Sequence, residues 1–449
     1  MFAFSGQRVL ILGAARSGIA CAVLLLKKGA RITISDNGAK PLPVKELAPL
    51  RRKGVMVKTG GHPVALLTGT DYIVISPGIR SDLPILQKAR QLNIPVLSEI
   101  EIAYTYLSGQ VIAITGTNGK TTTTSLVGEM FRQAGNKTLV CGNIGRPISA
   151  IADQSSLRSV VVAEISSFQL ENIVNFRPHI SVMLNITPDH LDRYPGFAAY
   201  ARAKKKIYVN QEKDNYAVIN YDDPVSRKSA GRIKAKVVFF SRKKILPRGV
   251  FVKNGSIVAR LDGRAQNIIK TTELGIPGPH NLENALAAIA CGILGKVPLS
   301  SMRKTLRTFR GVEHRLELVK TVRGVKYVND SKGTNVDSTV KALESFPGNI
   351  ILIAGGRDKG SPYRPLAKLV HSKVKALIVL GEAKNKIKKE LGPLTSTYDV
   401  SSLAEAVKLG HKLSCPGDTV LLSPACASFD MFKNYEHRGR IFKEEVKKL

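Results

Sequence analysis

Short runs of aliphatic and β-branched residues alternate with longer segments of helical periodicity along the whole of this chain. The runs that we predict as strands are 9–12, 31–35, 72–76, 111–115, 160–164, 180–184, 350–354, 375–380 and 419–422. Such alternation is typical of βαβ units, in which helices connect the strands of a parallel sheet. We therefore predict an α/β protein. Several runs lead into a Gly, Pro or Ser turn, and open α/β sheets bind their ligands just beyond such strand ends.

The length of 449 residues is enough for about three domains of ordinary size. A new strand follows residues 107–109, and a helical segment at 302–309 ends before Gly311. We therefore expect three units, at residues 1–108, 109–310 and 311–449. Between residues 237 and 276, short β-like segments with an Asn254-Gly255 turn signal predict a small antiparallel addition to the second unit.

The sequence contains no recognisable signal for export or for membrane insertion. Its longest apolar run, at 285–294, is half of the ~20 residues needed to cross a bilayer. The amino terminus has no basic stretch ahead of an apolar core, which argues against a signal peptide. The five cysteines are an odd number and lie in apolar settings without metal-ligand spacing. We expect a cytoplasmic protein with reduced, mostly buried thiols.

The charge balance raises the alternative of a nucleic-acid-binding protein. Lys and Arg number 68 against 34 acidic residues, which gives a net charge of +34. The surplus is spread nearly in proportion to length over the three units, whereas nucleic-acid proteins more often concentrate it on an arm, a helix or one face. We favour a general compositional bias, which would also attract anionic small-molecule substrates. A basic nucleic-acid-dependent ATPase remains the alternative from another class.

The segment 112–122, IAITGTNGKTT, carries the sharpest chemical signal. A buried strand leads into a glycine-containing loop, then Lys120 and Thr121, then a helix that we expect to begin near Thr122. Glycines allow backbone N–H groups to surround phosphate oxygens, lysine neutralises charge, and the threonine hydroxyl can hold Mg²⁺. Only the shorter Gly-x-x-Gly-Lys-Thr form is met, because Ile114 occupies the position of the usual first glycine. Phosphate binding is favoured over a plain strand-to-helix turn with an exposed lysine.

Three further residues are candidates for a metal site. Glu164 ends a predicted strand close to the phosphate loop, where a carboxylate is suited to Mg²⁺. His190 follows another strand end, and Lys204 lies in the run Lys204-Lys205-Lys206. Each residue also has an alternative interpretation. Glu164 could be an ordinary surface acid, His190 a loop histidine, and Lys204 part of a solvated basic helix face.

The first unit contains a weaker nucleotide signal. A strand, the glycine loop 13–18 and a helix are followed by a second strand and Asp36, in the manner of a dinucleotide fingerprint. Ala15 stands at the middle glycine position, which opposes the close approach of a pyrophosphate. A related nucleotide held less tightly is as compatible with this segment as NAD.

With these residues assembled, the chain resembles the Mur ligase family over nearly its whole length. The motifs that carry the resemblance are TGTNGKT at 115–121, GNIG at 142–145, EISSFQL at 164–170, DHLDRY at 189–194, GPHN at 278–281, HR at 314–315, NDSKGTN at 329–335 and SPACAS at 423–428. The phosphate loop and GPHN are shared with folylpolyglutamate synthases. The last two motifs and the loop at Gly13 point to the members that add D-glutamate.

The resemblance implies a Rossmann-like UDP-binding domain, a central P-loop ATPase domain with a parallel sheet, and a carboxyl-terminal Rossmann-like α/β domain that closes over the active site. It implies ATP-dependent amide formation between UDP-N-acetylmuramoyl-L-alanine and D-glutamate through an acyl phosphate, in the synthesis of peptidoglycan precursors. It also implies Mg²⁺, with two ions, a carbamylated Lys204 and a monomeric enzyme. A related ligase that adds another amino acid is the nearest alternative.

The resemblance also assigns individual roles. Those implied for catalysis belong to Lys120, Glu164, His190 and Lys204, and those for metal binding to Thr121, Glu164, His190 and Lys204. The residues implied for ATP are Gly116, Thr117, Asn118, Gly119, Lys120, Thr121, Thr122, Asn281, Arg315 and Asp330. Those implied for the UDP substrate are Ser17, Asp36, Ser76, Gly78, Asn143 and His190. Those implied for D-glutamate are Lys332, Thr334, Lys359, Ser428, Phe429 and Tyr435, and Tyr435 stands where the family commonly has Phe.

Overall fold

Three mainly parallel sheets follow one another along the chain in the computed structural model, which describes residues 2–38, 42–261, 263–276 and 278–449. The first sheet has five parallel strands in the order β3-β2-β1-β4-β5. They are β1 Arg8–Leu12, β2 Arg31–Ser35, β3 Met56–Lys58, β4 Tyr72–Ile75 and β5 Val96–Ser98. Its helices are α1 Arg16–Lys27, α2 Val44–Arg52, α3 Pro84–Gln91 and α4 Glu99–Tyr106. The strand order reverses at β1, which pairs with both β2 and β4 and so opens a crevice at its carboxyl end.

The second sheet has nine strands in the order β14-β13-β12-β11-β10-β9-β6-β8-β7. They are β6 Gln110–Thr115, β7 Lys137–Gly142, β8 Ser159–Glu164, β9 Ile180–Met183, β10 Tyr216–Asn220, β11 Lys236–Ser241, β12 Gly249–Lys253, β13 Ser256–Arg260 and β14 Gln266–Lys270. Its helices are α5 Lys120–Gln133, α6 Ser167–Leu170, α7 Phe197–Lys205, α8 Pro224–Arg227, α9 Pro279–Leu294 and α10 Leu299–Thr308. Helices α5 and α9 share an apolar core with the sheet. The predicted antiparallel addition is confirmed as β12–β14, with Asn254 and Gly255 both at positive φ in the hairpin turn.

The third sheet has six strands in the order β15-β16-β20-β17-β18-β19, of which only the β15–β16 pair is antiparallel within the described residues. They are β15 Glu317–Val322, β16 Val325–Asn329, β17 Ile350–Gly355, β18 Val374–Leu380, β19 Ser396–Asp399 and β20 Thr419–Leu422. Its helices are α11 Val336–Glu344, α12 Ala367–Lys373, α13 Lys384–Leu391, α14 Leu403–Leu413 and α15 Tyr435–Lys447. Apolar clusters cover both faces of this sheet.

The predicted α/β fold is confirmed, and all nine predicted strands are present with each end within one residue of the prediction. Helix α5 begins at Lys120, two residues before the expected start, because Gly119 takes up a left-handed conformation with a φ of 85° and the helix starts directly after it. Cys415 is exposed, while Cys21, Cys141, Cys291 and Cys426 are buried, and all five are free thiols. Among the described residues, no helix has the length and apolar character required to cross a membrane.

The connecting helix α4 fastens the first sheet to the second through two buried glutamates in its first turn. The Glu101 carboxylate accepts hydrogen bonds from the backbone N–H groups of Val174, Asn175 and Phe176 at 2.8–2.9 Å. Glu99 Oε1 accepts one from Ser149 N at 2.7 Å, and burial raises the pKa of this carboxyl group. The two cores are therefore joined through buried, charge-assisted contacts rather than through a loose linker.

Candidate active site

The glycine loop between β6 and α5 is held open by the chain that follows β9. Thr117 N donates to Asn185 O and Asn118 N to Asn185 Oδ1, both at 2.9 Å. A Cβ atom at Gly119 would lie 2.3 Å from Asn284 Oδ1, so only glycine fits this turn. The loop ends at the amino terminus of a 14-residue helix, where unpaired N–H groups and the helix dipole favour an anion.

Two lysine ammonium groups converge on one carbonyl of this loop. Lys120 Nζ donates to Gly116 O and to Thr117 O at 2.8 Å, and Lys204 Nζ donates to Gly116 O at 2.8 Å. Burial lowers the pKa of both groups, that of Lys204 well below its usual value. The charge of Lys120 lowers the pKa of Lys204 further, and the charges of Lys359 and Arg315 lower that of Lys120. Lys204 is buried on α7, so interpreting the 204–206 run as a solvated face is wrong for this residue.

Glu164 ends β8 next to the loop and is 2% exposed. Its Oε1 accepts a hydrogen bond from Asn143 Nδ2 at 2.8 Å, while Oε2 is buried with no hydrogen-bond partner among the described residues. A Cβ atom at Gly142 would lie 2.2 Å from Glu164 O, so glycine is required for Asn143 to approach this strand end. The result is one carboxylate oxygen that is fixed in direction and still available to a ligand.

His190 lies in a turn that brings it to the same cavity. Its backbone is left-handed, with a φ of 54°, and burial lowers the pKa of the imidazole to about 4, so the ring is neutral at physiological pH. The neighbouring Asp189 is buried, accepts a hydrogen bond from Asn335 Nδ2 at 3.0 Å and lies 3.4 Å from Lys359 Nζ. Its interactions with Lys359, His190, Asn335 and Lys120 outweigh burial and lower the pKa of Asp189.

The third domain contributes one wall of this cavity. Asn118 Nδ2 donates to Asp337 Oδ2 at 2.6 Å, and Ser338 Oγ donates to Asn118 Oδ1 at 2.5 Å, so α11 touches the phosphate loop directly. The enclosed space is about 400 Å³. Its lining includes residues predicted for catalysis, metal, ATP, the UDP substrate and D-glutamate, namely Thr117–Thr122, Asn143, Glu164, His190, Lys204, Arg315, Lys332, Thr334, Lys359, Ser428, Phe429 and Tyr435. Lys332 Nζ donates to Tyr435 Oη at 2.7 Å inside it.

Arg438 lies beneath this wall and is 2% exposed. Its guanidinium donates to Ser331 Oγ at 3.0 Å and Ser331 O at 2.9 Å, and to the carbonyls of Cys426, Ala427 and Gly355 at 3.2, 3.4 and 3.5 Å. Burial lowers the pKa of Arg438 to about 10. These contacts tie together the segments that lead to Lys332, Lys359 and Ser428, which belong to the predicted amino-acid pocket.

A second cavity of about 150 Å³ opens on the other side of the loop. Arg315 lines both cavities, and His280, Glu283 and Asn284 of α9 line the second. The predicted adenine contact Asn281 follows His280 on α9 but is not part of that lining. Its Oδ1 accepts a hydrogen bond from Asn284 Nδ2 at 3.2 Å. The predicted ribose contact Asp330 is fully buried behind Arg315, bonded to Arg315 Nη1 at 3.3 Å and to Ser423 Oγ at 2.8 Å. It therefore supports Arg315 rather than facing the cavity.

The first sheet forms a third cavity, of about 570 Å³, at the carboxyl end of β1, where the strand order reverses. Ser17, Asp36, Ser76 and Gly78 line it together with Asn143 from the second domain. Asp36 Oδ2 accepts a hydrogen bond from Ala14 N at 2.8 Å, which stabilises the loop at 13–18. A Cβ atom at Gly18 would lie 1.9 Å from Gly13 O, so this glycine allows α1 to pack closely on the loop.

Sequence reasoning missed several residues that build the site. Asp189 was part of a quoted motif but received no role, although its position beside His190 was a usable signal. Asn335, the last residue of the NDSKGTN motif, likewise received no role, and it donates a hydrogen bond to Asp189. Asp337 and Arg438 contact segments far away in the chain, and nothing in their local sequence indicates these contacts. Such contacts depend on how the domains pack.

Comparison with known proteins agrees with this architecture in each domain. Residues 7–98 match the Mur ligase MurD-like N-terminal domain, residues 114–292 the Mur ligase middle domain, and residues 314–426 the Mur ligase glutamate ligase domain. A UDP-N-acetylmuramoylalanine–D-glutamate ligase from Pelotomaculum thermopropionicum is 46% identical over 99% of this chain and 98% of its own length. A relative with the same name from Koribacter versatilis is 47% identical, with the same coverage.

Solved structures share the fold at lower identity. The UDP-N-acetylmuramate-alanine ligase of Thermotoga maritima has a TM-score of 0.62 and 21% identity, and the match covers 98% of this chain and 99% of that one. A pseudomurein peptide ligase from Methanothermus fervidus has a TM-score of 0.62 and 20% identity, with 99% and 100% covered. These two solved ligases therefore share the α/β fold of three domains. The chain belongs to the Mur ligase family.

This family is ATP-dependent, and its cofactors include Mg²⁺. The residues present fit such an ion, because Glu164 Oε2 is a buried carboxylate oxygen with no described partner and the Thr121 hydroxyl lies on the first turn of α5 in the same cavity. Oxygen ligands of this kind, shared with phosphate oxygens, are what Mg²⁺ prefers.

Proposed function

We propose that this chain is an ATP-dependent ligase that joins D-glutamate to UDP-N-acetylmuramoyl-L-alanine in peptidoglycan precursor synthesis. One observation carries the proposal. The phosphate loop, an available carboxylate oxygen and the lysines of a third-domain pocket all line one cavity of about 400 Å³. A site of this kind can bring a triphosphate, an acid and an amino acid together.

The chemistry has two steps. The substrate carboxylate attacks the γ-phosphorus of ATP, so that a carboxylate oxygen–phosphorus bond forms, the bond to ADP breaks, and ADP leaves. The amine of D-glutamate then attacks the carbonyl carbon of the acyl phosphate, loses a proton, and inorganic phosphate leaves from the tetrahedral intermediate. Phosphorylation is needed because an oxide ion is not a feasible leaving group, whereas phosphate is.

Within this scheme, Lys120 moves from its loop carbonyls to the γ-phosphate and stabilises the charge that spreads over its oxygens. The N–H groups of Gly116–Thr122 hold the phosphates. Thr121, Glu164 and His190 would hold Mg²⁺, which would supply positive charge to stabilise the transferring phosphate. Asn143 and His190 contact the muramoyl substrate beside it.

We propose that Lys204 is carbamylated and that its carbamate would help to hold Mg²⁺, of which the site would take two ions. Support comes from its burial and from the low pKa of its amine, because a neutral amine reacts with CO₂ and an ammonium does not. Carbamylation also changes the sign of the charge. A cation next to Lys120 is replaced by an anion whose oxygen atoms are metal ligands.

The acceptor pocket is proposed to consist of Lys332, Thr334, Lys359, Ser428, Phe429 and Tyr435. Two ammonium groups suit an amino acid that carries two carboxylates. The Tyr435 hydroxyl holds Lys332, which adds a polar group to the wall of this pocket. Lys359 lies in the same wall and forms an ion pair with Asp189. The pocket is therefore continuous with the turn at 189–194 that contains His190, which we call the histidine turn.

The remaining assignments follow the cavities. Ser17, Asp36, Ser76 and Gly78 are proposed to hold the UDP group, Arg315 the phosphates, and Asn281 the adenine. Asp330 is proposed to act on ATP through Arg315. The domain limits are proposed to lie at 108/109 and 310/311, which places each sheet in its own unit.

We further propose that the protein acts as a monomer in the cytoplasm on small molecules, with no nucleic-acid partner. The nucleotide-linked substrate and the five free thiols support this setting.

The test is phosphate release by the purified full-length protein. The assay combines ATP and Mg²⁺ with UDP-N-acetylmuramoyl-L-alanine and, in separate reactions, D-glutamate, L-glutamate, L-lysine or diaminopimelate. Release that requires both the UDP substrate and D-glutamate is expected. Release with another amino acid but not with D-glutamate would assign the chain to a different ligase. Turnover stimulated by DNA or RNA instead, and falling steeply with salt, would indicate the nucleic-acid ATPase.

A further inference from the structure

Arg193 connects the first domain to the histidine turn of the second. Its Nη1 donates to Pro77 O at 2.9 Å and its Nη2 to Ile79 O at 2.7 Å. The guanidinium carbon lies 4.0 Å from the centre of the Phe168 ring, and Nη2 lies 3.6 Å from Glu171 Oε2. The side chain is only 14% exposed. The cation–π contact with Phe168 and the two hydrogen bonds from separate guanidinium nitrogens fix the position of this group.

The two segments that Arg193 joins carry groups with different tasks. On one side, the 76–79 turn follows β4 and contains Ser76 and Gly78, which line the 570 Å³ cavity. On the other side, Arg193 N and Tyr194 N donate to His190 O at 3.0 and 3.1 Å, so Arg193 belongs to the turn that presents His190. Phe168, on which the guanidinium stacks, also makes an edge-on contact with the His190 ring at 4.9 Å between centres.

We propose that Arg193 is a positioning residue that sets the distance between the UDP-holding turn and the His190 turn. A substrate held by its nucleotide at the first turn must place its carboxylate among groups of the second, and an error of about 1 Å in that placement costs about a hundredfold in rate. Arg193 fixes this distance without touching the substrate. The inference rests on the proposed function and extends it to the alignment of the UDP-linked substrate.

The same surface offers a matched control. Arg80 lines a cavity of about 450 Å³ together with Arg193, and it pairs with Asp82 at 2.7 Å. Both partners of that pair are 57% exposed, and both belong to the first domain. Arg80→Met therefore removes an arginine from the same region but no described hydrogen bond or ion pair between domains.

The experiment compares the full-length wild type with Arg193→Met, Arg193→Lys and Arg80→Met. Steady-state rates are measured with each of the three substrates varied, and the binding of UDP alone is measured by calorimetry. For Arg193→Met we expect kcat/KM for the UDP substrate to fall 20- to 100-fold, while KM for ATP, KM for D-glutamate and the affinity for UDP stay within threefold. Arg193→Lys should recover part of the loss, and Arg80→Met should match the wild type.

Three results would overturn the inference. They are an unchanged kcat/KM in Arg193→Met, an equal loss in Arg80→Met, or a loss of UDP affinity as large as the loss of kcat/KM, which would make Arg193 a ligand of the nucleotide. If Arg193→Met does not fold, the same comparison is made with Arg193→Lys, for which a loss of at least fivefold is expected. A wild type that neither binds UDP nor turns over would instead refute the proposed function itself.

Discussion

Arg438→Met is expected to loosen the acceptor pocket while leaving the phosphate loop intact. The substitution keeps an unbranched side chain of similar length in a fully buried position but removes every donor. Five N–H···O contacts are lost, and three of them, to Ser331 Oγ, Ser331 O and Cys426 O, are 3.2 Å or shorter. The contacts to Ala427 O and Gly355 O, at 3.4 and 3.5 Å, are too long to contribute much.

The size of the effect follows from these contacts. Hydrogen bonds from a charged donor contribute about 1.5–3 kcal/mol each, and contributions within one network do not add fully. We therefore expect the local opening free energy of the 331–335 and 426–428 segments to fall by about 3–5 kcal/mol, a value typical of breaking a buried polar network. At about 1.4 kcal/mol per factor of ten, amide exchange there becomes roughly a hundredfold to several thousandfold faster.

Hydrogen–deuterium exchange with peptide resolution measures this directly, and KM for D-glutamate provides the functional readout. Exchange at 116–122 should not change, and KM for D-glutamate should rise at least tenfold while KM for ATP stays within threefold. Arg440→Met, an exposed position on the same helix, is the matched control. Unchanged exchange at 331–335 in Arg438→Met, with an unchanged KM, would refute the role assigned to this guanidinium.

Three further perturbations test other parts of the site. Lys204→Ala is expected to lose most turnover, and added formate or acetate should partly restore it because these anions lend a carboxylate to Mg²⁺. Turnover is measured as phosphate release. Unchanged activity would mean that Lys204 has only a structural role. Gly119→Ala should abolish detectable ATP binding by calorimetry, because a Cβ atom there meets Asn284 Oδ1 at 2.3 Å, whereas Gly135→Ala, at an open turn, should bind ATP normally. Burial lowers the pKa of His280 to about 3, below the value of about 6.5 in the unfolded chain, so the unfolded state binds the extra proton and stability falls as the pH drops from 6.5 towards 3. In urea titrations the wild type should lose about 2 kcal/mol more than His280→Gln between pH 7.5 and pH 5.0, and equal losses would contradict the assignment.

Much of the fold could be predicted from the sequence because each strand is a short, continuous apolar run bounded by turn residues. The runs at 160–164 and 350–354 are buried on both faces of the sheet. Both faces therefore require apolar residues, and the strand is visible in the sequence as a run of apolar residues. Short edge strands such as β3 and β19 were not predicted, since half-exposed positions admit polar residues and weaken the pattern. The early start of α5 was also missed, because a helix start after a left-handed glycine lacks an N-capping side chain.

The site was predictable where its chemistry is local and was not where it depends on packing between domains. The loop at 116–121 is recognisable because its two glycines, Lys120 and Thr121 lie in one contiguous segment. The burial of Lys204 could not be predicted from the sequence, because Lys204 and Lys205 are neighbouring lysines that differ only in which face of α7 they occupy. Asp330 shows the opposite case, in which a charged residue of a recognised motif is fully buried against Arg315 and lines neither of the two cavities.

The contact between Asn118 and Asp337 joins residues 219 positions apart. Synthesis on the ribosome proceeds from the amino end, so the nucleotide loop emerges from the exit tunnel long before the helix that covers it. A growing chain can therefore fold its first two sheets while its catalytic centre is still incomplete. Incomplete translation products of this protein are expected to bind nucleotide without forming any peptide bond.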